Sequence, residues 1–490
     1  MSNQEKFVVS RVIPAPSQIE CVSGGMFKLA DGCPIAVISP LAEAELSALL
    51  HDTCNAYWKA TPSFSFQAGG EGIAADGYRL RVTAEHCEIT ASGLSGIRNA
   101  FKTMRQLAES ERGVLKSTCW LLPPVAVEDE PALAFRGIHL CWFPETPTWE
   151  IEKNIRLAAY YKFNYAVIES WGMIRLESHP EYCWDEFAVD KKEVSRLVKL
   201  AASLGLTLIP QLNLFGHATS SRCGSGKQML LDRHPEYASL FEPDGWTWCI
   251  ANPCARQYLT ELVTELHDLF DKPPFFHIGC DEAYNAGSCS LCRENYPAKL
   301  KAHLMYFYSL FAKRGARVMM WHDMLLNRDD PRWEGYTAYG HSSRGLDELY
   351  KELPKDIIIC DWQYGYPEKD GKEPDWRTSH FFKQAGFDVL VCPWLERRGI
   401  KSLGHLAKQE KLFGMLETTW HWYRGSFRKE TLFVIASNAA WHPDWTPESN
   451  VVYREYLNRH LREMDQDMKS KKYIQFGSVQ YQINPAPYQD

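Results

Sequence analysis

The stretch Phe135-Arg-Gly-Ile-His-Leu-Cys141 opens a change of regime in the chain. Comparable short apolar runs follow at Phe163–Ile168, Leu206–Leu212, Phe275–Cys280, Arg317–Trp321, Ile357–Cys360, Val389–Cys392 and Phe413–Leu416. Most of their residues are β-branched, aromatic or Leu, without strict alternation, as in parallel strands buried on both faces. Helical periodicity fills the intervals, for instance at Val194–Ser203, Ala255–Phe270, Lys299–Arg314 and Gly345–Leu353. Eight β-α units over about 300 residues are the arithmetic of a (β/α)8 TIM barrel. A doubly wound α/β sheet is the alternative, but no G-x-G-x-x-G loop follows the first run.

Upstream, residues 1–125 read as a small α+β domain. Tyr78, Leu80 and Val82 alternate with Arg79, Arg81 and Thr83, and Cys87, Ile89 and Ala91 alternate again after Ala84-Glu-His86. That predicts a hairpin with one buried face. A helix with an apolar stripe of Ile97, Ala100, Phe101, Met104, Leu107 and Ala108 follows. The Pro-rich, acidic stretch Leu122–Pro131 reads as a linker. The barrel is then expected over 132–445, and residues 446–490 as a charged helix (roughly 450–468) and tail packed on it.

Composition narrows the function classes. Lys and Arg number 54 against 61 Asp and Glu, a net charge of −7. Without a basic block, nucleic acid is not an expected partner. No apolar run reaches membrane-spanning length, so a membrane is not one either. The N-terminal residues lack the pattern of a signal peptide. The fifteen cysteines are scattered through apolar segments and read as reduced thiols, so a cytoplasmic location is expected. Cys289-Ser-Leu-Cys292 invites a zinc reading, with Cys280 and Cys223 as further ligands. A lone C-x-x-C is a weak signal, and neither metal nor cofactor is expected. Seventeen Trp and 23 Tyr are more aromatics than a core requires, and indoles serve well as apolar walls for sugars.

In a barrel, chemistry gathers at the C-terminal ends of the strands. There the sequence offers His139 and Trp142, Glu169 and Trp171, Asn213 to His217, His277 with Asp281 and Glu282, Trp321 to Asp323, Asp361 to Tyr364, Trp394, and Glu417 with Trp420. One rim thus collects carboxylates, histidines and indoles, an acid–base centre with flat apolar walls. Within it, Asp281 and Glu282 form an adjacent pair at a strand-to-loop corner, where divergent environments can keep one carboxyl ionised and make the other a proton donor.

Phe276-His-Ile-Gly-Cys-Asp-Glu282 resembles the His-x-Gly-Gly/Ala-Asp-Glu motif of family 20 glycoside hydrolases, the exo-acting β-N-acetylhexosaminidases, with Cys280 in place of the small residue. Tyr78–Leu107 is similar to the small domain preceding the barrel in that family, Phe135-Arg-Gly137 to the start of its barrel, and Phe215-Gly-His217 to its Pro-Gly-His segment. The cytosolic hexosaminidase D-like branch is the nearest resemblance, over roughly residues 70–425.

The resemblance implies removal of a terminal β-linked 2-acetamido-2-deoxyhexose, GlcNAc, GalNAc or a substituted relative, from a glycan or glycoconjugate. The substrate's own acetamide would attack the anomeric carbon and form an oxazolinium ion, the intramolecular exception to two-carboxylate catalysis. Glu282 is then general acid and base, and Asp281 orients the acetamide. His217 supports Glu282, with Glu169 as its acidic partner. Arg136 holds sugar hydroxyls; Trp321, Trp362 and Trp420 wall the acetamide slot, Tyr364 donates to the acetamide oxygen, and Asp323 and Trp394 are further substrate-binding residues. The carboxylate common after strand 8 is missing at Trp420-His-Trp422, which leaves the sugar open. Three other readings stand beside it. One is a glycosidase with an enzyme nucleophile, Glu169 or Glu417. Another is a metal-dependent hydrolase using His217, His277 and Asp281, and the last a sugar-binding protein without catalysis. A homo-oligomer is compatible with all of them.

Overall fold

The computed structural model describes residues 12–30, 36–38, 65–68, 72–109, 119–144, 146–219, 229–341, 345–364, 374–420 and 427–445. The expected C-terminal helix and tail lie outside the described residues. Among the described residues, eight strands belong to the N-terminal part: β1 (Gln18–Cys21), β2 (Phe27–Ala30), β3 (Ala36–Ile38), β4 (Ser65–Ala68), β5 (Tyr78–Val82), β6 (Cys87–Ala91), β7 (Cys119–Leu122) and β8 (Val125–Asp129). Six of them form a sheet in the order β1-β8-β5-β6-β4-β3, and β2 pairs with β7.

The expected hairpin is β5–β6, antiparallel with Leu80 opposite Ile89 and Val82 opposite Cys87. Helix α1 (Leu94–Glu109) follows it. Its stripe Ile97, Phe101, Met104 and Leu107 is buried with Leu80, Val82, Ile89 and Val127 in one core. The expected linker is a correction. Residues 125–129 form β8, between β1 and β5, with Val125, Val127 and Asp129 facing inward. The prolines at 123, 124 and 131 bracket this strand instead of interrupting it, so its period-2 pattern survives in a Pro-rich stretch.

The second part is a closed barrel of eight parallel strands: β9 (Phe135–Trp142), β10 (Tyr165–Ser170), β11 (Thr207–Gln211), β12 (Phe275–His277), β13 (Arg317–Trp321), β14 (Ile358–Asp361), β15 (Asp388–Val391) and β16 (Gly414–Glu417), which closes on β9. Helices α2 (Thr148–Tyr160), α3 (Lys191–Ser203), α4 (Pro253–Leu269), α5 (Tyr296–Lys313), α6 (Arg377–Gln384), α7 (Arg397–Gln409) and α8 (Phe427–Trp441) form the outer layer. Between β13 and β14, the expected helix over Gly345–Leu353 is a 3-10 helix at Leu346–Lys351. Gly345 enters it in a left-handed conformation and Pro354 follows three residues after its end. Among the described residues, no helix is long and apolar enough to cross a membrane.

Inside the barrel, Phe135, Tyr165, Phe275 and Phe413 stack at the strand starts, with Phe135 and Tyr165 ring centroids 4.4 Å apart. Apolar packing fills that end, so polar lumen residues sit toward the strand ends.

The N-terminal part docks against the filled end through a buried charged joint. Lys162 Nζ lies 2.9 Å from Asp129 Oδ2, which also accepts from the Tyr78 hydroxyl at 2.7 Å, while Trp441 Nε1 donates to Asp129 Oδ1. Arg136 belongs to this joint, which corrects its expected sugar-binding role. Its guanidinium pairs with Asp76 at 2.7 Å, donates to the carbonyls of Leu133 and Lys162, and lies over the Trp441 ring. As the second residue of β9, it is most of a strand length from the end where the chemistry gathers.

Candidate active site

The C-terminal end of β12 shows why an adjacent acid pair can face one cavity. The strand stops at His277, and Gly279, Cys280 and Glu282 all have positive φ (67°, 78° and 49°). Left-handed steps break the alternation that would send Asp281 and Glu282 to opposite faces. Space sets this corner. A Cβ on Gly279 would stand 2.1 Å from Asn213 Oδ1, and one on Gly216 would stand 1.9 Å from the Asp281 carbonyl oxygen. The loops after β11 and β12 therefore lie back to back. His217, with φ 53°, and Trp420, with φ 41°, are left-handed as well. Non-Gly residues there cost of order 1–3 kcal/mol each and concentrate at functional sites.

His217 bridges the pair. Its Nε2 is 3.0 Å from Glu282 Oε2 and 3.6 Å from Asp281 Oδ2. Burial works against the imidazolium, but the Asp281 charge, the bond to Glu282 and the Glu282 charge outweigh it and push its pKa up to about 9. Burial raises Asp281 well above the usual carboxylate range; His217 opposes this, and Asp323 and Glu282 reinforce it. Asp281 Oδ1 is buried without a hydrogen-bond partner among the described residues. Glu282 is half-buried, at the mouth of the cavity.

Asp323 fastens the corner from behind. One oxygen accepts the Glu282 amide at 2.9 Å, and the other accepts Trp362 Nε1 at 3.0 Å. It is fully buried, which corrects its expected place among the substrate-binding residues: it positions Glu282. Burial raises its carboxyl to about 6, against the opposing pull of His322 and these two donors.

The aromatic residues form two tiers. Trp321 is fully buried and packs against His139, His277 and Trp420, with the Trp420 ring centroid 5.3 Å away. It is a floor, not an open wall. Above it, the half-buried Trp420, Tyr364 and Trp394 surround the mouth together with Trp362, at centroid distances of 5.1–6.3 Å.

Glu169 is brought beneath the site, where its charge adds to those that raise the His217 pKa. Its oxygens accept from Asn213 Nδ2 at 2.8 Å, Gln211 Nε2 at 3.0 Å and Cys141 Sγ at 3.2 Å, with His139 Nε2 at 3.3 Å. Burial alone would raise its pKa, but the His139, Asn213 and Cys141 donors hold it down to about 2. It is an anion held by these donors beneath the site and linked to His217 through its charge, and a nucleophilic role does not fit. Glu417 lies on the strand face of Met415, which packs toward the helical layer, opposite the lumen residue Leu416. His277 also points elsewhere. Its Nδ1 accepts the Gly279 amide, and its ring lies 4.3 Å from Trp321. His217, His277 and Asp281 do not converge as ligands among the described residues.

One contributor escaped the strand-end rule. Trp246, in the loop after β11, donates its indole N–H to the Glu282 carbonyl at 2.8 Å, and its ring centroid lies 4.3 Å from that of His217. Trp248, two residues on, donates to the Asn213 carbonyl. Only the Trp-x-Trp spacing inside a long loop could have signalled them.

Comparisons with known proteins agree with this architecture. A family model described as glycosyl hydrolase family 20, catalytic domain, matches residues 168–392, and that family's domain 2 model matches 9–130. A beta-hexosaminidase of Akkermansia muciniphila is 24% identical over 337 residues, covering 60% of this chain and 65% of that one. A beta-hexosaminidase of Vibrio furnissii is 24% identical over 353 residues, covering 64% and 57%. The chain thus spans less than two thirds of the length of these curated relatives. The exo β-N-acetylglucosaminidase of Vibrio harveyi, solved in complex with N-acetylglucosamine, shares the fold with a TM-score of 0.69 at 16% identity, over 94% of this chain and 77% of that one.

Proposed function

Since the chain belongs to glycosyl hydrolase family 20, we propose that it is an exo-acting, retaining glycoside hydrolase that removes terminal β-linked 2-acetamido sugars from glycans. The observation that carries the reading is the buried, unpartnered Asp281 Oδ1 beside Glu282 at an indole-lined mouth. An acceptor held out of water without a donor costs roughly 1–3 kcal/mol, and a substrate acetamide N–H would repay it.

In this mechanism the acetamide N–H docks on Asp281, which turns the carbonyl oxygen toward the anomeric carbon. That oxygen forms the new bond to carbon as the glycosidic bond breaks, and Glu282 protonates the leaving oxygen. The resulting oxazolinium carries its positive charge next to Asp281. Glu282 then takes a proton from water as the water opens the ring with net retention. His217 holds both carboxyls in register, and Asp323 fixes the Glu282 backbone. Trp420, Trp362 and Tyr364 shape the acetamide niche above Trp321. Glu169, spent on four donors, supports substrate assistance over an enzyme nucleophile. A cytoplasmic setting is part of the proposal, supported by buried free thiols such as Cys141, Cys360 and Cys392.

Aryl β-glycosides that differ at C2 and C4 test the reading. GlcNAc or GalNAc derivatives are expected to turn over and the glucoside not. Glu282→Gln should lower turnover by about 10²–10⁴-fold, and Asp281→Asn should weaken inhibition by a thiazoline analogue of the cyclised intermediate. Equal rates on glucoside and acetamido sugar, or wild-type rates in both variants, would overturn it.

A further inference from the structure

Beside the catalytic corner, three cysteines from two loops converge. Cys249 Sγ lies 3.6 Å from Cys289 Sγ and 3.6 Å from Cys292 Sγ, and all three sulfurs fall within 4.8 Å of one another. The separations are too long for a disulfide, whose sulfurs stand about 2.05 Å apart. They match a tetrahedral edge: thiolates about 2.3 Å from a zinc ion stand about 3.8 Å from each other. We propose that Cys249, Cys289 and Cys292 bind one thiophilic divalent metal ion, zinc by preference, which clasps the loop after β11 to the loop after β12.

The surroundings fit a thiolate site. The Cys292 amide approaches Cys289 Sγ at 3.3 Å, placing an N–H on a ligand sulfur inside the C-x-x-C turn. Glu242, buried on the Cys249 side, accepts from the Gly287 amide at 3.1 Å, the Ser288 hydroxyl at 3.2 Å and the Cys289 amide at 2.6 Å, so the turn is held in place before any ion arrives. Cys249 and Cys292 are buried and Cys289 is half-buried, and the Glu242 carboxylate stands within hydrogen-bonding reach of the Cys292 thiol. Binding converts three S–H groups into three S–metal bonds and releases three protons to solvent. The sequence motif supplied two of these ligands. Cys280 is not one: it is buried at the β12 corner, its Sγ against the Ile278 carbonyl. Cys223 lies outside the described residues.

The position gives the ion a purpose. Cys249 is three residues beyond Trp246, which holds the Glu282 carbonyl and packs on His217. Cys289 is seven residues beyond Glu282 in the other loop. The clasp therefore ties the wall that carries Trp246 to the corner that carries the acid pair. The metal site stands without the proposed activity; only its effect on turnover rests on that reading.

Metal content of the full chain, purified with reductant and then loaded with Zn2+ alone, is the direct test. One zinc per chain is expected by elemental analysis. Replacement with Co2+ should give an intense thiolate-to-cobalt charge-transfer band below about 400 nm. Cys249→Ser with Cys292→Ser should abolish both signals, while Cys254→Ser, at the exposed neighbouring cysteine, should keep both. Hydrogen exchange of residues 241–252 and 283–295 should rise when a strong chelator removes the ion from the wild-type protein. Substoichiometric zinc after loading, full metal content in the double variant, or a Cys249–Cys289 disulfide in the reduced preparation would overturn the site. Because these readouts need no substrate, an inactive enzyme that binds zinc would refute only the proposed function.

Discussion

His217→Gln isolates the electrostatic centre of the site, because the amide keeps a hydrogen bond and discards the charge. A rise in the imidazole pKa from 6.5 to about 9 corresponds to about 3 kcal/mol of net preference for the cation in the folded state. The pKa is raised, so this stabilisation is complete below pH 6.5, fades as pH climbs toward 9, and is gone above it. The variant should therefore be less stable than wild type by up to about 3 kcal/mol at pH 6.5, and the gap should close by pH 9.5. Urea denaturation of both proteins across that range measures it. Asp281 loses the same attraction, so the acidic limb of kcat/KM should move upward in the variant. A stability gap that stays constant from pH 6.5 to 9.5 would refute the argument, since only a cation 3.0 Å from Glu282 and 3.6 Å from Asp281 makes it pH-dependent.

Asp323→Asn should trade activity for stability. The carboxyl is raised to about 6 by burial, so ionising it above that pH costs up to about 3 kcal/mol in the fold. Less the lost Trp362 bond, thermal denaturation at pH 7.5 should show a gain of about 2 kcal/mol alongside reduced kcat. Lys162→Met leaves Asp129 buried without its cation and should cost about 3–5 kcal/mol in guanidinium unfolding. Gly216→Ala drives a Cβ into the Asp281 carbonyl; a drop in melting temperature with at least tenfold lower kcat/KM is expected, and wild-type values would disprove the back-to-back loop contact.

Local pattern made much of the molecule legible. Apolar runs such as Phe135–Cys141 and Val389–Cys392 are strands because buried parallel strands need apolar residues on both faces, and that requirement is written residue by residue. The hairpin at Tyr78–Ala91 and the stripe of α1 were equally readable, since period 2 and period 3.6 belong to neighbours in the chain. The Asp281–Glu282 pair was visible from its motif. Partnership was not. Arg136 and Glu169 look like site residues in one dimension, but barrel closure puts Arg136 at the joint with Asp76 and gives Glu169 to Asn213, Gln211, Cys141 and His139. Trp246 at the Glu282 carbonyl and Cys249 beside Cys289 and Cys292 arise from loops whose course no periodicity encodes. Secondary structure follows from interactions within a few residues, whereas a charge's partner depends on which distant segments the closed barrel brings within about 4 Å, and only the folded chain decides that.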